Sequence, residues 1–346
     1  MRVLFYFVHP AKYHLFRIVI NELRKDFSVD IVINSKDVLE ELIKNEGWQY
    51  TNLFPKGRNV SEKPSIIKSG YKFVITVLRL EKYIFFHKKF DVFITDDALV
   101  VNGWLHRIPT YIFNDNDIET IRINKILFYF AHRIISPSVT NLGPFEKKKL
   151  NFKGNKALAH LHPAYFKPRA EILDKYNLQA NNFCIIRVSK INATHDIGNT
   201  GLTDNDLESL IVYCNKFYRV IISAERKISE KFEEYVFKGN PEDLTHLMYY
   251  AVILITDSAT MASEAALMGT PNVLVNIVGK KCSVNKDLFN NGLQYYFDSY
   301  SESTTIIQEI LENPELKNSM REKVKLYLDK CDDLNKFILR LISNHN

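Results

Sequence analysis

Short apolar runs alternate with longer stretches of helical periodicity along most of the chain. Val3 to Val8 is a continuous apolar run, the pattern of a parallel strand covered on both faces. His14 to Arg24 then repeats Leu15, Ile18, Val19 and Leu23 at helical spacing. Val29 to Ile33 is the next strand, and Val38 to Asn45 the next helix, closed by Gly47. A weak third strand spans Tyr50 to Leu53, and a long helical pattern runs from Ser65 to His87. Val92 to Thr95, Thr110 to Phe113 and Arg133 to Ser136 are further strands. This βαβ rhythm predicts a parallel, doubly wound sheet.

The stretch from Thr140 to about Lys167 is less regular and carries Pro144, Gly154 and Pro163, so it is expected to connect two halves. The rhythm restarts with a strand at Phe183 to Arg187, a helix at Asp204 to Cys214 and a strand at Tyr218 to Ser223. Val252 to Thr256 is the next strand, followed by a helix through Leu267 that Gly269 stops, and Asn272 to Val275 comes after it. The tail from Ser303 to Ser343 is helical, broken near Pro314 and Asp332. A chain of 346 residues exceeds what one core usually serves. Two α/β domains are expected, over residues 1–160 and 165–330, with residues 331–346 a last helix crossing back to the first.

Composition narrows the partners. Apolar residues make up 46% and charged residues 25%, as in ordinary globular proteins. The net charge of +6 suits phosphate-bearing substrates or an anionic membrane surface, and no nucleic-acid recognition signature is present. Cys184, Cys214, Cys282 and Cys331 lie far apart without metal-ligand or redox spacing, so free thiols in a reducing cytosol are expected. The apolar start ends at His9-Pro10 with no small-residue cleavage site and reads as a strand. No stretch approaches the length of a membrane span.

The most informative segment runs from Leu254 to Pro271. A buried strand ends in Thr256-Asp257-Ser258, the small residues Ala259-Thr260 open a helix, and Gly269-Thr270-Pro271 leads to the next strand. Amides at such a helix start favour a phosphate or diphosphate. Glu264 lies six residues beyond Ser258, about 9 Å along the axis, where a carboxylate can accept hydrogen bonds from a ribose diol.

These residues resemble the nucleotide-binding segment of non-hydrolysing UDP-N-acetylglucosamine 2-epimerases and related GT-B glycosyltransferases. The epimerases have Gly-Gly after the Ser and a Glu-Glu pair where this chain has Ala259-Thr260 and Ser263-Glu264. Their Thr-Glu-Arg-Pro-Glu run is replaced by Asn276-Ile277-Val278-Gly279-Lys280-Lys281, which argues against epimerisation. Nearly the whole chain is similar to domain-of-unknown-function family 354. The shared landmarks are His9-Pro10 with His14-Leu15-Phe16-Arg17, Asn114-Asp115, Phe166-Lys167-Pro168, Arg187, and Ala259 to Ala266. The resemblance implies an α/β fold of the GT-B type: two Rossmann-like, doubly wound domains facing a central cleft.

Other polar groups fall at predicted strand ends, where doubly wound sheets bind ligands. Arg187, with Lys190, His195 and Asp196 after it, is placed to neutralise a diphosphate, as is Arg226 after the next strand. His246 precedes the nucleotide strand and is a further candidate contact. In the first half, His9, Asp97 (in Asp96-Asp97) and Asp115 (in the run Asn114 to Asp117) end strands, placed to bind acceptor hydroxyls or supply a general base. His9, Asp97, Asp115, Arg187 and Ser258 are expected to line one crevice. No metal and no cofactor are expected.

The Ser65 to His87 pattern mixes apolar residues with Lys68, Lys72, Arg79 and Lys82, which suits either a helix packed on a sheet or one lying on an anionic membrane. The leading expectation is a cytoplasmic glycosyltransferase, with a peripheral place on the inner face of the cell membrane as the alternative location. It would move a sugar from a nucleoside diphosphate donor, UDP first among the candidates, to a carbohydrate or lipid-linked hydroxyl in surface polysaccharide or glycolipid assembly. A nucleotide-sugar 2-epimerase and a non-catalytic nucleotide-binding protein are the alternatives.

Overall fold

The computed structural model describes residues 1–34, 38–55, 66–121, 124–189, 201–276 and 279–344. They form two compact units, residues 1–160 with 332–346 and residues 161–331.

The first unit is built on seven parallel strands: β1 (Arg2–Phe7), β2 (Ser28–Ile33), β3 (Thr51–Asn52), β4 (Val92–Thr95), β5 (Thr110–Phe113), β6 (Arg133–Pro137) and β7 (Lys149–Phe152). Their order is β3-β2-β1-β4-β5-β6-β7, so the chain reverses direction across the sheet between β1 and β4. Both faces of β1 are covered, which is why its sequence does not alternate. Val3, Phe5 and Phe7 pack with the helix Pro10–Leu23 and with the last helix, Leu334–Ser343, through Leu334, Ile338 and Ile342. Leu4 and Tyr6 pack on the other face with Leu80 and Ile84 of the helix Ile66–Phe85.

The stretch from Thr140 onward is not simply a connection. Lys149–Phe152 pairs in parallel with β6 and extends the first sheet by an edge strand. Its lysine-flanked, half-polar run carries no apolar signal of the kind that marks the central strands.

The second unit has five parallel strands: β8 (Phe183–Val188), β9 (Arg219–Ala224), β10 (Leu254–Thr256), β11 (Asn272–Val275) and β12 (Tyr295–Phe297). Their order, β12-β11-β10-β8-β9, places the reversal between β8 and β10. The helix Ala259–Leu267 ends where Gly269 turns the chain at φ +69°, a conformation that disfavours a side chain. A Cβ there would also meet the Arg321 backbone at 3.0 Å. Because the strands of each sheet are parallel, their carboxyl ends share one edge, and the reversal opens a crevice there.

Candidate functional site

The crevice of the second unit is built from strand ends in register. Thr256 pairs with Arg187, and Arg187 with Ser223, so the three form one row across β10, β8 and β9. The Thr256 hydroxyl accepts the Ser258 N–H at 2.9 Å and turns the chain into the helix Ala259–Leu267. Ser258 is the N-cap, its hydroxyl accepting the Met261 N–H at 3.5 Å. The amides of Ala259 and Thr260 have no acceptor within the helix, by the geometry of a helix start, and carry the positive end of its dipole. Thr260 is exposed, and Glu264 follows one turn later, partly buried.

Asp257 has a different task. It is buried, and its two carboxylate oxygens accept the N–H groups of Ser189 at 2.7 Å and Leu202 at 3.3 Å. Burial pushes its pKa up, and those two hydrogen bonds hold the rise back. Asn276 donates to the Asp257 carbonyl at 2.9 Å. Asp257 therefore knits the strand ends together.

Arg187 donates to the Ser223 hydroxyl at 2.6 Å and pairs with Glu225, while its Nε has no protein partner among the described residues. A cation half-satisfied by a solvent-exposed acid can exchange that acid for an anionic ligand. Arg226 is committed inward: it donates to the Leu202 carbonyl at 2.7 Å and to Asp204 at 3.0 Å. Its charge contributes to the field at Asp257.

His246 sits on the helix Pro241–Tyr250 and stacks on Phe166, ring centroids 5.1 Å apart. Arg169 faces it with the backbone N–H, 3.3 Å from Nδ1, and with Nε, 3.1 Å from Nε2. Burial and the Arg169 charge push its pKa down, so the ring is neutral and engaged with the segment that enters the unit. Lys190, His195 and Asp196 lie outside the described residues.

In the first unit, His9 caps the helix Pro10–Leu23, its Nδ1 accepting the Ala11 N–H at 3.2 Å. An accepting Nδ1 places the ring proton on Nε2, which makes exposed His9 a donor. Asp97 accepts the Ala98 N–H at 2.6 Å where the chain enters the helix Leu99–His106.

Asp115 belongs to a network the sequence did not announce. Lys156 contacts it at 2.7 Å, and Lys12 lies 3.7 Å from Asp96 and 4.8 Å from the Phe113 ring centroid. Burial raises the Asp115 pKa, but Lys156 and Lys12 outweigh it, and the carboxylate stays below its usual range. Burial pushes the Lys12 pKa down, opposed by Asp96 and Asp115. Asp96 keeps one buried oxygen without a partner among the described residues. Lys12 and Lys156 carry no motif; the only sequence signal is a lysine just inside the helix that follows the first strand. Among the described residues, no group of three or more His, Cys, Asp or Glu is set to hold a metal ion.

Residues 5–346 match a family described as "Protein of unknown function (DUF354)". No curated protein matches the sequence. Among solved structures, the UDP complex of S. aureus MnaA superposes with a TM-score of 0.70 at 12% identity, covering 99% of this chain and 95% of that one. The UDP-GlcNAc 2-epimerase of Neisseria meningitidis bound to UDP-GlcNAc gives 0.69 at 15% identity, covering 99% and 100%. The spinosyn rhamnosyltransferase SpnG complexed with spinosyn aglycone gives 0.63 at 11% identity, covering all of both chains. At these identities the likeness is one of fold, two Rossmann-like α/β domains.

Proposed function

Since the chain belongs to the DUF354 family, whose description states no reaction, we propose a function from its own residues: transfer of a sugar from a nucleoside diphosphate donor, UDP-linked, to a hydroxyl acceptor. The observation that carries this reading is the row Thr256–Arg187–Ser223 leading into the Ser258-capped helix. It sets a guanidinium beside a helix N-terminus at the reversal point of a parallel sheet, an arrangement suited to a diphosphate. Glu264 is assigned to the ribose. In the first unit, His9 donates to the acceptor through Nε2, and Asp97 takes the proton of the attacking hydroxyl. Asp115, held ionised by two lysines, suits charge stabilisation better than proton uptake. Fold likeness to proteins described with UDP, UDP-GlcNAc and an aglycone supports a nucleotide-sugar chemistry.

A 2-epimerase reading has one observation in its favour, the paired lysines and carboxylates just beyond the ends of β1, β4, β5 and β7. Such a set can exchange a proton at a sugar carbon without any acceptor. The two readings part in one experiment. Thermal shifts with UDP, GDP, CDP and dTDP identify the base, a ligand at one hundred times its Kd adding about 2.7 kcal/mol. Turnover of the matching sugar donor is then followed with and without hydroxyl acceptors. Product only with acceptor supports transfer; an isomerised donor without acceptor supports epimerisation; no binding of any nucleotide overturns both.

A further inference from the structure

Among the described residues, fifteen large hydrophobic side chains are exposed, and nine of them lie within or next to the adjoining helical segments 66–85, 99–106 and 124–130 of the first unit. On the helix Ile66–Phe85 they are Tyr71, Val74, Leu78 and Phe85, spaced so that they form one stripe. Phe73, Val77, Leu80 and Ile84 on the opposite side pack on the sheet, so the core does not need the outer stripe. Phe86 continues the stripe past the helix end, and Phe85 and Phe86 are 79% and 71% exposed.

The stripe is held to its neighbour. Asn102 of the helix Leu99–His106 donates to the Val77 carbonyl at 3.1 Å and to Glu81 at 2.8 Å, and His106 meets Glu81 at 2.7 Å. That helix exposes Trp104 and Leu105, and Trp104 sets its ring edge-on against Phe130, 5.5 Å away. Ile126 and Tyr129 extend the apolar surface along residues 124–130.

The exposed charge along this surface is predominantly basic. Lys82, Lys88 and Lys89 are exposed along the stripe, as are Arg107 and Lys125 on the adjoining elements. Between residues 69 and 89 the only acid is Glu81, which is already engaged by Asn102 and His106. Two copies of the chain meeting here about a twofold axis would set lysine against lysine, and lysine is depleted from protein interfaces. Exposed Phe, Trp and Tyr rimmed by lysine are instead the features of a surface that rests in the headgroup layer of an anionic bilayer. We propose that the first unit docks on anionic membranes through Tyr71, Leu78, Phe85, Phe86, Trp104 and Tyr129. This inference is independent of the reaction proposed above.

The test is flotation of the full chain with vesicles of phosphatidylcholine alone or with phosphatidylglycerol added, at low and high salt. Flotation is expected only with the anionic vesicles, reduced by salt. Substituting Lys82, Lys88 or Lys89 by Gln should weaken partitioning about fivefold each, the equivalent of about 1 kcal/mol per basic residue near the surface. Leu78→Glu with Phe85→Glu should abolish it without lowering the Tm, since both side chains are exposed. Trp104 emission in the unsubstituted protein gives a readout that needs no variant. Trp48 is buried, so a blue shift on adding anionic vesicles reports Trp104 entering lipid. Absence of flotation and of the blue shift at low salt overturns the inference. So does a concentration-dependent dimer that the Leu78→Glu, Phe85→Glu variant breaks apart.

Discussion

The carboxylate of Asp257 accepts the backbone N–H of Ser189 at 2.7 Å, tying the end of β10 to the end of β8 across the point where the second sheet reverses. Its other oxygen takes the Leu202 N–H, and the Leu202 carbonyl accepts from Arg226. One buried acid thus fixes the mouth of the crevice. Asp257→Asn can accept only one of the two N–H groups and turns an amide donor toward the other. An unsatisfied buried donor costs about 1–3 kcal/mol. Urea denaturation should show a loss in that range, with nucleotide affinity reduced as the strand ends loosen.

Glu264→Gln keeps the shape of the side chain and removes its charge. If Glu264 holds the ribose, nucleoside diphosphate affinity by calorimetry should fall at least about tenfold, the equivalent of 1.4 kcal/mol, with the Tm of the free protein unchanged. Equal affinity in parent and variant would make Glu264 a structural charge.

Arg187 should lose and Glu225 should gain. Arg187→Met removes the cation assigned to the diphosphate, and UDP affinity should drop tenfold or more. Glu225→Gln releases Arg187 from its exposed partner. Because such a pair contributes only about 0–1 kcal/mol, UDP should bind up to about fivefold tighter. A titration in which Glu225→Gln weakens binding would assign Glu225 to the ligand instead.

Asp97→Asn should separate binding from turnover. A general base contributes typically about 10²- to 10⁴-fold, so kcat should fall within that range while UDP affinity stays at the parent value. His9→Ala removes a donor and should act mainly on the acceptor KM.

Lys317 supplies a pH test away from the site. It is buried, donates to the Ala251 carbonyl at 2.6 Å and to Asn181 at 2.8 Å, and burial with help from Arg321 pushes its pKa down to about 7. In the unfolded chain the amine ionises near its ordinary value, so folding prefers the neutral form. The contribution is fully present above about pH 10.5 and is lost as the pH falls through 7. Denaturation series between pH 7 and 10 should show stability rising with pH, and Lys317→Met should flatten that slope.

The central elements were legible because burial on both faces writes itself as apolar runs: β1, β4 and β5 were read within one residue of their ends. β7 and β12 were not, because Lys149–Phe152 and Tyr295–Phe297 are edge strands that carry polar or half-exposed residues. The Ser258 cap and the Gly269 stop were readable from local chemistry alone. Lys12 and Lys156 were not, since their meaning arises only when the topology sets the ends of β1, β4, β5 and β7 along one edge. Arg226 and His246 were named from their residue types, and each also holds protein groups, Arg226 Leu202 and Asp204, His246 Arg169.

The return of the helix Leu334–Ser343 to the first unit has a consequence for synthesis. Leu334, Ile338 and Ile342 complete a core begun at Val3, yet a ribosome delivers them only after the whole of residues 161–331. The first unit therefore waits, part of its apolar face uncovered, while the second can close as soon as its own residues emerge. A nascent chain stalled before Asp332 would carry one finished unit and one in need of a chaperone.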